Sequence, residues 1–178
     1  MPLLDFVKEA GEKLFNIGGA HATAPSQQTQ SGGAATQQSS GGSQAADKAN
    51  AANAAAGDAI QNYIRSQKLD ATGLTVTYDG ATSTATVYGI APDQETKEKI
   101  VLSAGNVSGV ARVDDELTVE QSGPKAKFYT VKSGDTLSKI AKESYGDANK
   151  YNKIFEANRP MLKNPDKIYP GQTLRIPD

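Results

Sequence analysis

The chain opens with apolar residues recurring at helical spacing. In MPLLDFVKEAGEKLF, residues 1–15, Leu3, Leu4, Phe6, Val7, Leu14 and Phe15 form one apolar face, and Asp5, Lys8, Glu9, Glu12 and Lys13 interrupt every apolar run. The pattern predicts a short amphipathic helix within residues 1–17 that docks on a larger body. Between 18 and 44 the pattern vanishes. GGAHATAPSQQTQSGGAATQQSSGGSQ carries no Lys, Arg, Asp or Glu and too little apolar surface to offset chain entropy, so 18–45 reads as a flexible linker. Helical spacing returns over 46–69, with Ala56, Ile60, Ile64 and Tyr63 on the firm face.

The period then shortens to two. LTVTYDG alternates Leu74, Val76 and Tyr78 with threonines, Asp79-Gly80 begins a turn, and TATVYG returns as a second strand. Pro92-Asp93 starts a helix with Asp93 as N-cap; Ile100, Val101 and Ala104 belong to it, and Gly105 stands where a left-handed cap is expected. Val110, Val113, Leu117 and Val119 predict a third strand. The order over 46–121 is helix, strand, strand, helix, strand. After a short linker, 122–127, the order over 128–178 is strand, helix, helix, strand. Tyr129 and Val131 mark the first strand and Leu137, Ile140 and Ala141 the first helix. Asp147 or Asn149 opens the second helix, with Tyr151, Ile154 and Phe155 turned inward. Tyr169-Pro170-Gly171 turns the chain into Leu174-Arg175-Ile176. The fold class is α+β, in two small domains.

Composition narrows the chemistry. The 178 residues carry a net charge of −1, so no global field favours nucleic acid or an anionic membrane. Cysteine is absent, which removes disulfides and thiolate sites, and the one histidine, His21, lies in the neutral linker. No nucleophile–base pair or carboxylate dyad stands out, so catalysis is not expected. The N-terminal segment lacks an unbroken apolar core, and the expected location is cytoplasmic. Its apolar face could alternatively anchor on a membrane surface, but its balanced charge argues for docking on the protein. Asp114-Asp115-Glu116 is contiguous, unlike a spaced Ca2+ loop, and reads as a solvated strand end.

The last fifty residues resemble the LysM module through YTVKSGDTLSKIA, IFEANR and IYPGQTLRIP. Residues 46–121 resemble a BON domain in element order and in Gly80, Gly89 and Gly109 near its turns. Together with FVKEAGEKLF and EKIVLSAGNVSGVARVDD, they make the chain similar to the small cytoplasmic potassium-binding BON–LysM proteins of bacteria. The long neutral linker is the departure, and it lengthens the tether without altering the fold.

That resemblance implies specific K+ binding with a conformational response. By position it implies backbone carbonyls of Val7 and Ala10 in FVKEAG and of Gly105, Val107 and Gly109 in AGNVSG as ligands, with Val110 or Arg112 a further one. Physical chemistry agrees with the type of ligand. Neutral carbonyls replace the water shell of a large monovalent cation without the field that favours divalent ions. Helix C-termini leave carbonyls unpaired and partly negative, and glycines let them converge. Read without the resemblance, Gly105 is a helix cap and Gly109 a turn. The LysM resemblance further implies a groove for N-acetylglucosamine glycans, formed by Gly134, Asp135, Thr136 and Leu137 with Ile168, Tyr169 and Pro170. A cytoplasmic chain does not meet mature peptidoglycan, so the preferred expectation is that this module packs on the BON domain or on a protein partner. Lys97 and Lys99, interleaved with Glu95 and Glu98, read as a salt-bridged helix face. The protein is expected to act as a monomer.

Overall fold

The computed structural model describes residues 4–5 and 41–178, with side chains from 44 onward. Strand β1 (Leu4–Asp5) precedes helix α1 (Gly41–Ser66). Strands β2 (Thr72–Asp79) and β3 (Thr84–Asp93), helix α2 (Gln94–Gly105) and strand β4 (Arg112–Gln121) complete the first module. The second contains β5 (Lys127–Thr130), α3 (Leu137–Tyr145), a 3-10 turn (Ala148–Lys150), α4 (Tyr151–Ala157) and β6 (Thr173–Ile176).

The two described N-terminal residues are strand, not helix. Leu4 pairs with Val113 and Asp5 with Arg112, antiparallel at the edge of β4. The rest of the predicted helix over 1–17 lies outside the described residues. The boundary at 45 also moves, because α1 begins at Gly41. A helix nucleated in the alanine-rich stretch propagates backward at little cost per residue. Its firm face differs by one position: Gly57, Ile60 and Ile64 are buried, Ala56 is half-buried, and Tyr63 is 39% exposed. Gly57 is required there, since a Cβ would lie 2.6 Å from the Val76 carbonyl oxygen.

The first sheet has the order β1-β4-β3-β2. Strands β2 and β3 form an antiparallel hairpin, while β3 and β4 are parallel, which requires the α2 crossover. Leu74, Val76, Ala85, Val87, Val113 and Leu117 face inward onto Ile60, Ile64, Ile100, Val101 and Ala104. Side chains bond to the outer edge of β2 and to that of β4 beyond its short pairing with β1. On β2, Gln61 Oε1 accepts from Val76 N (3.0 Å), Asn53 Oδ1 accepts from Gly80 N (3.0 Å) and Arg65 donates to the Leu74 carbonyl. On β4, Asp115 Oδ1 accepts from Leu117 N (3.1 Å) and Lys97 Nζ donates to Leu117 O. Such closure discourages edge-to-edge pairing with another chain.

Helix α2 begins as expected, with the Asp93 carboxylate accepting from Thr96 N at 2.7 Å. Its expected end is different. Gly105 is the last right-handed helical residue, Asn106 is the C-cap at φ −86°, and the positive-φ glycine is Gly109 at +91°. The simple ion-paired face is also revised. Lys99 bridges Glu95 at 2.8 Å, but Lys97 reaches across to Asp115 at 3.0 Å, so Asp115 is not merely solvated. Glu98 turns inward and meets Arg175 of β6.

In the second module Val131, Leu137, Ile140, Ala141, Ile154, Leu162, Leu174 and Ile176 form a core of their own. Thr136 caps α3 at its start, and Gly146, at φ +74°, closes its end by donating to the Lys142 carbonyl. The two modules meet along α2 and β6. Residues 98, 102 and 106 lie on one face of α2, and Thr173 and Arg175 lie two apart on β6. Glu98 Oε2 accepts from Arg175 Nε at 2.7 Å, and both side chains are less than one-tenth exposed. The other oxygen, Oε1, accepts from Gln94 Nε2 (2.8 Å) and from Ala126 N (3.1 Å) in the linker. One buried carboxylate therefore gathers helix, linker and second module.

Candidate functional site

Residues 102–112 form the most backbone-rich corner of the first module. The Leu102 carbonyl accepts from Asn106 N at 2.9 Å, and that of Ala104 accepts from Val107 N at 3.2 Å. Val110 N then donates to Val107 O at 3.1 Å, forming a tight turn. At Gly109 the chain takes the left-handed conformation that lets it reverse without a Cβ clash. The Tyr78 hydroxyl donates to Gly109 O at 2.7 Å, which ties the turn to β2. Ala111 N and Arg112 N both donate to Ser83 O, at 2.8 and 3.3 Å, and fix the loop exit on the β2–β3 turn.

The structure thus brings Gly105, Val107, Gly109, Val110 and Arg112 into one short bend. Gly105 and Val110 are buried, Val107 is half-buried against the core, and Gly109 is exposed. Among the described residues, Val107 O accepts from Val110 N and Gly109 O from the Tyr78 hydroxyl. A carbonyl has two lone pairs, so each keeps the capacity to face a second partner. Among the described residues no group of three or more His, Cys, Asp or Glu side chains could hold a metal ion. What this corner offers a ligand is neutral oxygen at the partly negative end of a helix.

Val7 and Ala10 lie outside the described residues. Asp5 pairs with Arg112, the residue that leaves the loop.

Asn106, between two of the expected ligands, was not among the residues the sequence singled out. Its amide nitrogen lies 3.1 Å from Met161 Sδ and has two stronger acceptors. Nδ2 donates to Leu102 O and to Thr173 O, both at 3.0 Å, and Oδ1 accepts from Thr173 N at 2.9 Å. The signal available in the sequence was an asparagine directly after a helix-ending glycine.

The BON domain family matches residues 51–121, and the LysM domain family matches residues 129–177. The potassium binding protein Kbp of Escherichia coli is 45% identical over 180 aligned positions, covering all of this chain and 99% of that protein. The chain belongs to the Kbp family. Two relatives resemble it over shorter stretches. An uncharacterized protein of Deinococcus radiodurans is 59% identical over 49 residues, 28% of this chain and 19% of that protein. The endolysin of Bacillus phage B103 is 32% identical over 90 residues, half of this chain and 31% of that protein.

In the LysM module, the expected groove residues fall on two neighbouring turns at one end of the β5–β6 pair. The turns are tied together by Val131 N to Gln172 O (2.8 Å) and Gly171 N to Val131 O (2.9 Å). Several of these residues have internal tasks. Asp135 Oδ2 accepts from the Tyr129 hydroxyl (2.9 Å) and from Lys132 N (2.8 Å), Thr136 caps α3, and Leu137 is buried. Gly134 occupies positive φ at the turn, Ile168 packs partly buried, and Tyr169 and Pro170 are exposed. Burial, then the bond to the Asp135 carboxylate, pushes the Tyr129 phenol up to about 12. Burial also raises that of Tyr169. No helix among the described residues is long and apolar enough to cross a membrane.

Proposed function

We propose that this chain binds and senses K+ in the cytoplasm. Backbone carbonyls of the BON loop, Gly105, Val107 and Gly109 with Val110 or Arg112, would hold the ion together with those of Val7 and Ala10. The observation that supports this reading is the β1–β4 pairing, which sets Leu4 and Asp5 beside Val113 and Arg112 at the loop exit. The full-length relative named a potassium binding protein supports the same ligand. A cage of neutral carbonyls suits a large, weakly hydrated monovalent cation. The ion bridges two backbone segments that repel each other when it is absent, so binding compacts the molecule. The shift it causes is limited to the difference in its affinity for the docked and undocked states.

Isothermal calorimetry on the chain lacking residues 1–15 tests this reading, and K+ binding is expected to weaken sharply. Unchanged affinity would remove the N-terminal carbonyls from the site. A second reading, glycan binding through the LysM module, is favoured by the exposed Tyr169 beside Pro170. Retention of the protein on peptidoglycan, lost in Tyr169→Ala, would support it. In the K+ reading the LysM module instead packs on the BON domain.

A further inference from the structure

The edge of β6 that faces away from β5 is closed by two asparagine side chains. Asn158, the C-cap of α4, donates from Nδ2 to Ile154 O (2.7 Å) and Arg175 O (2.8 Å), and its Oδ1 accepts from Arg175 N (2.7 Å). Asn106, the C-cap of α2, repeats the pattern on Leu102 and Thr173. Each uses one donor on the carbonyl four residues back in its own helix. Each uses the remaining donor and the acceptor on both backbone groups of one β6 residue. Asn158 does this within the LysM module, whereas Asn106 does it from the BON module.

We infer that Asn106 is a positioning residue for the ion loop, and that its grip on Thr173 makes K+ affinity depend on contact with the LysM strand. The inference rests on the K+ reading above. A helix end alone needs only the bond to Leu102, so the two bonds to Thr173 serve something beyond capping. Three hydrogen bonds fix the side-chain torsions of Asn106 and thereby the peptide planes on either side of its Cα. One of those planes holds the Gly105 carbonyl, and the Val107 carbonyl belongs to the next peptide along. With the grip released, the loop keeps its local backbone bonds but loses its anchorage on β6, so the two carbonyls are held less firmly and the ion must bear part of the cost of ordering them. The backbone bonds Asn106 N–Leu102 O, Val107 N–Ala104 O and Val110 N–Val107 O shape the loop from within the BON module, and the Asn106 amide adds its anchorage on β6.

The test is calorimetry with KCl on the full chain, its Asn106→Ala and Thr173→Pro variants, and Asn158→Ala as control. Far-UV circular dichroism follows the fold of each. Asn106→Ala is expected to lose about tenfold in K+ affinity, the scale of losing two neutral hydrogen bonds. Thr173→Pro removes the N–H that faces Asn106 while leaving the Thr173 carbonyl, and with that one bond a smaller factor, roughly threefold, from a substitution in the other module. Asn158→Ala is expected to lower the melting temperature with no change in affinity, which a purely structural role for Asn106 would equally predict of Asn106→Ala. Wild-type affinity in folded Asn106→Ala and Thr173→Pro would overturn this inference alone. Should Asn106→Ala fail to fold, Thr173→Pro decides it. No K+ binding by the unaltered chain would overturn the K+ reading itself.

Discussion

Asn106 and Asn158 end two helices in the same way and grip the same strand, yet they join different things. Asn158 is 2% exposed and closes α4 onto β6 inside one module, so all its partners belong to a single core. Asn106 is half-buried, sits in the bend between two expected ligand carbonyls, and grips a strand 67 residues away. The difference is that a device confined to one module stabilises it, while the same device laid across two modules couples them. Helix α3 extends the contrast. Its end is closed by Gly146 in the left-handed conformation, through a backbone bond to the Lys142 carbonyl of its own helix.

Several substitutions would break or sharpen this contrast. Glu98→Ala is expected to have the largest effect, because it leaves Arg175 charged and buried at the contact between modules. Removing one partner of such a pair costs about 3–5 kcal/mol. Thermal unfolding should show a fall in melting temperature of roughly 10 °C or more. Asn158→Ala comes next. It exposes no new charge but strips two buried β6 backbone groups and the Ile154 carbonyl of a partner, a loss of about 2–4 kcal/mol read by urea unfolding. Gly109→Val places a β-branched residue at φ +91°, at a cost of about 1–2 kcal/mol in stability, and should distort the proposed carbonyl cage. K+ titration of that variant should show most binding lost, whereas Gly146→Val, equally strained at φ +74°, should leave the titration unchanged.

Tyr78→Phe is a smaller change. It removes one neutral bond to Gly109 O, worth about 1 kcal/mol or a few-fold in K+ affinity. The smallest effect is alkaline and confined to the LysM module. The Tyr129 phenol is raised from its ordinary value to about 12, so the folded state favours its neutral form. That contribution is complete below about pH 10 and is lost as pH rises through 12. Near-ultraviolet absorbance should show a tyrosine ionising near pH 12, and Tyr129→Phe should abolish that step.

Alternating residues such as Leu74, Val76, Val87 and Val113 made the BON strands readable from sequence, because each alternation matches a face that is buried in the sheet. The Asp93 cap and the turn at Gly171 were readable for the same local reason. The end of α2 was not. Gly105 has the residue type of a left-handed cap, but Asn106 takes over the capping through a bond to its own helix and two to β6. Those last partners lie 67 residues on, beyond the reach of any local pattern. The inward turn of Glu98 was hidden likewise, because helical spacing alone pairs it with neighbouring lysines and its actual partner is Arg175. Gly57 replaced Ala56 on the face of α1 because the backbone of β2 approaches too closely for any side chain. Of the expected ligand carbonyls, those in the loop could be placed together from the run AGNVSG. Their relation to the N-terminal segment needed the β1–β4 register, which a two-residue strand does not announce in sequence.

The most direct test is calorimetric titration of the full chain with KCl, RbCl, CsCl, NaCl and MgCl2 at fixed ionic strength. Saturable heat with K+ and the larger alkali ions, and none with Na+ or Mg2+, is the predicted result. Equal heats for Na+ and K+ would contradict a selective cage of main-chain oxygens.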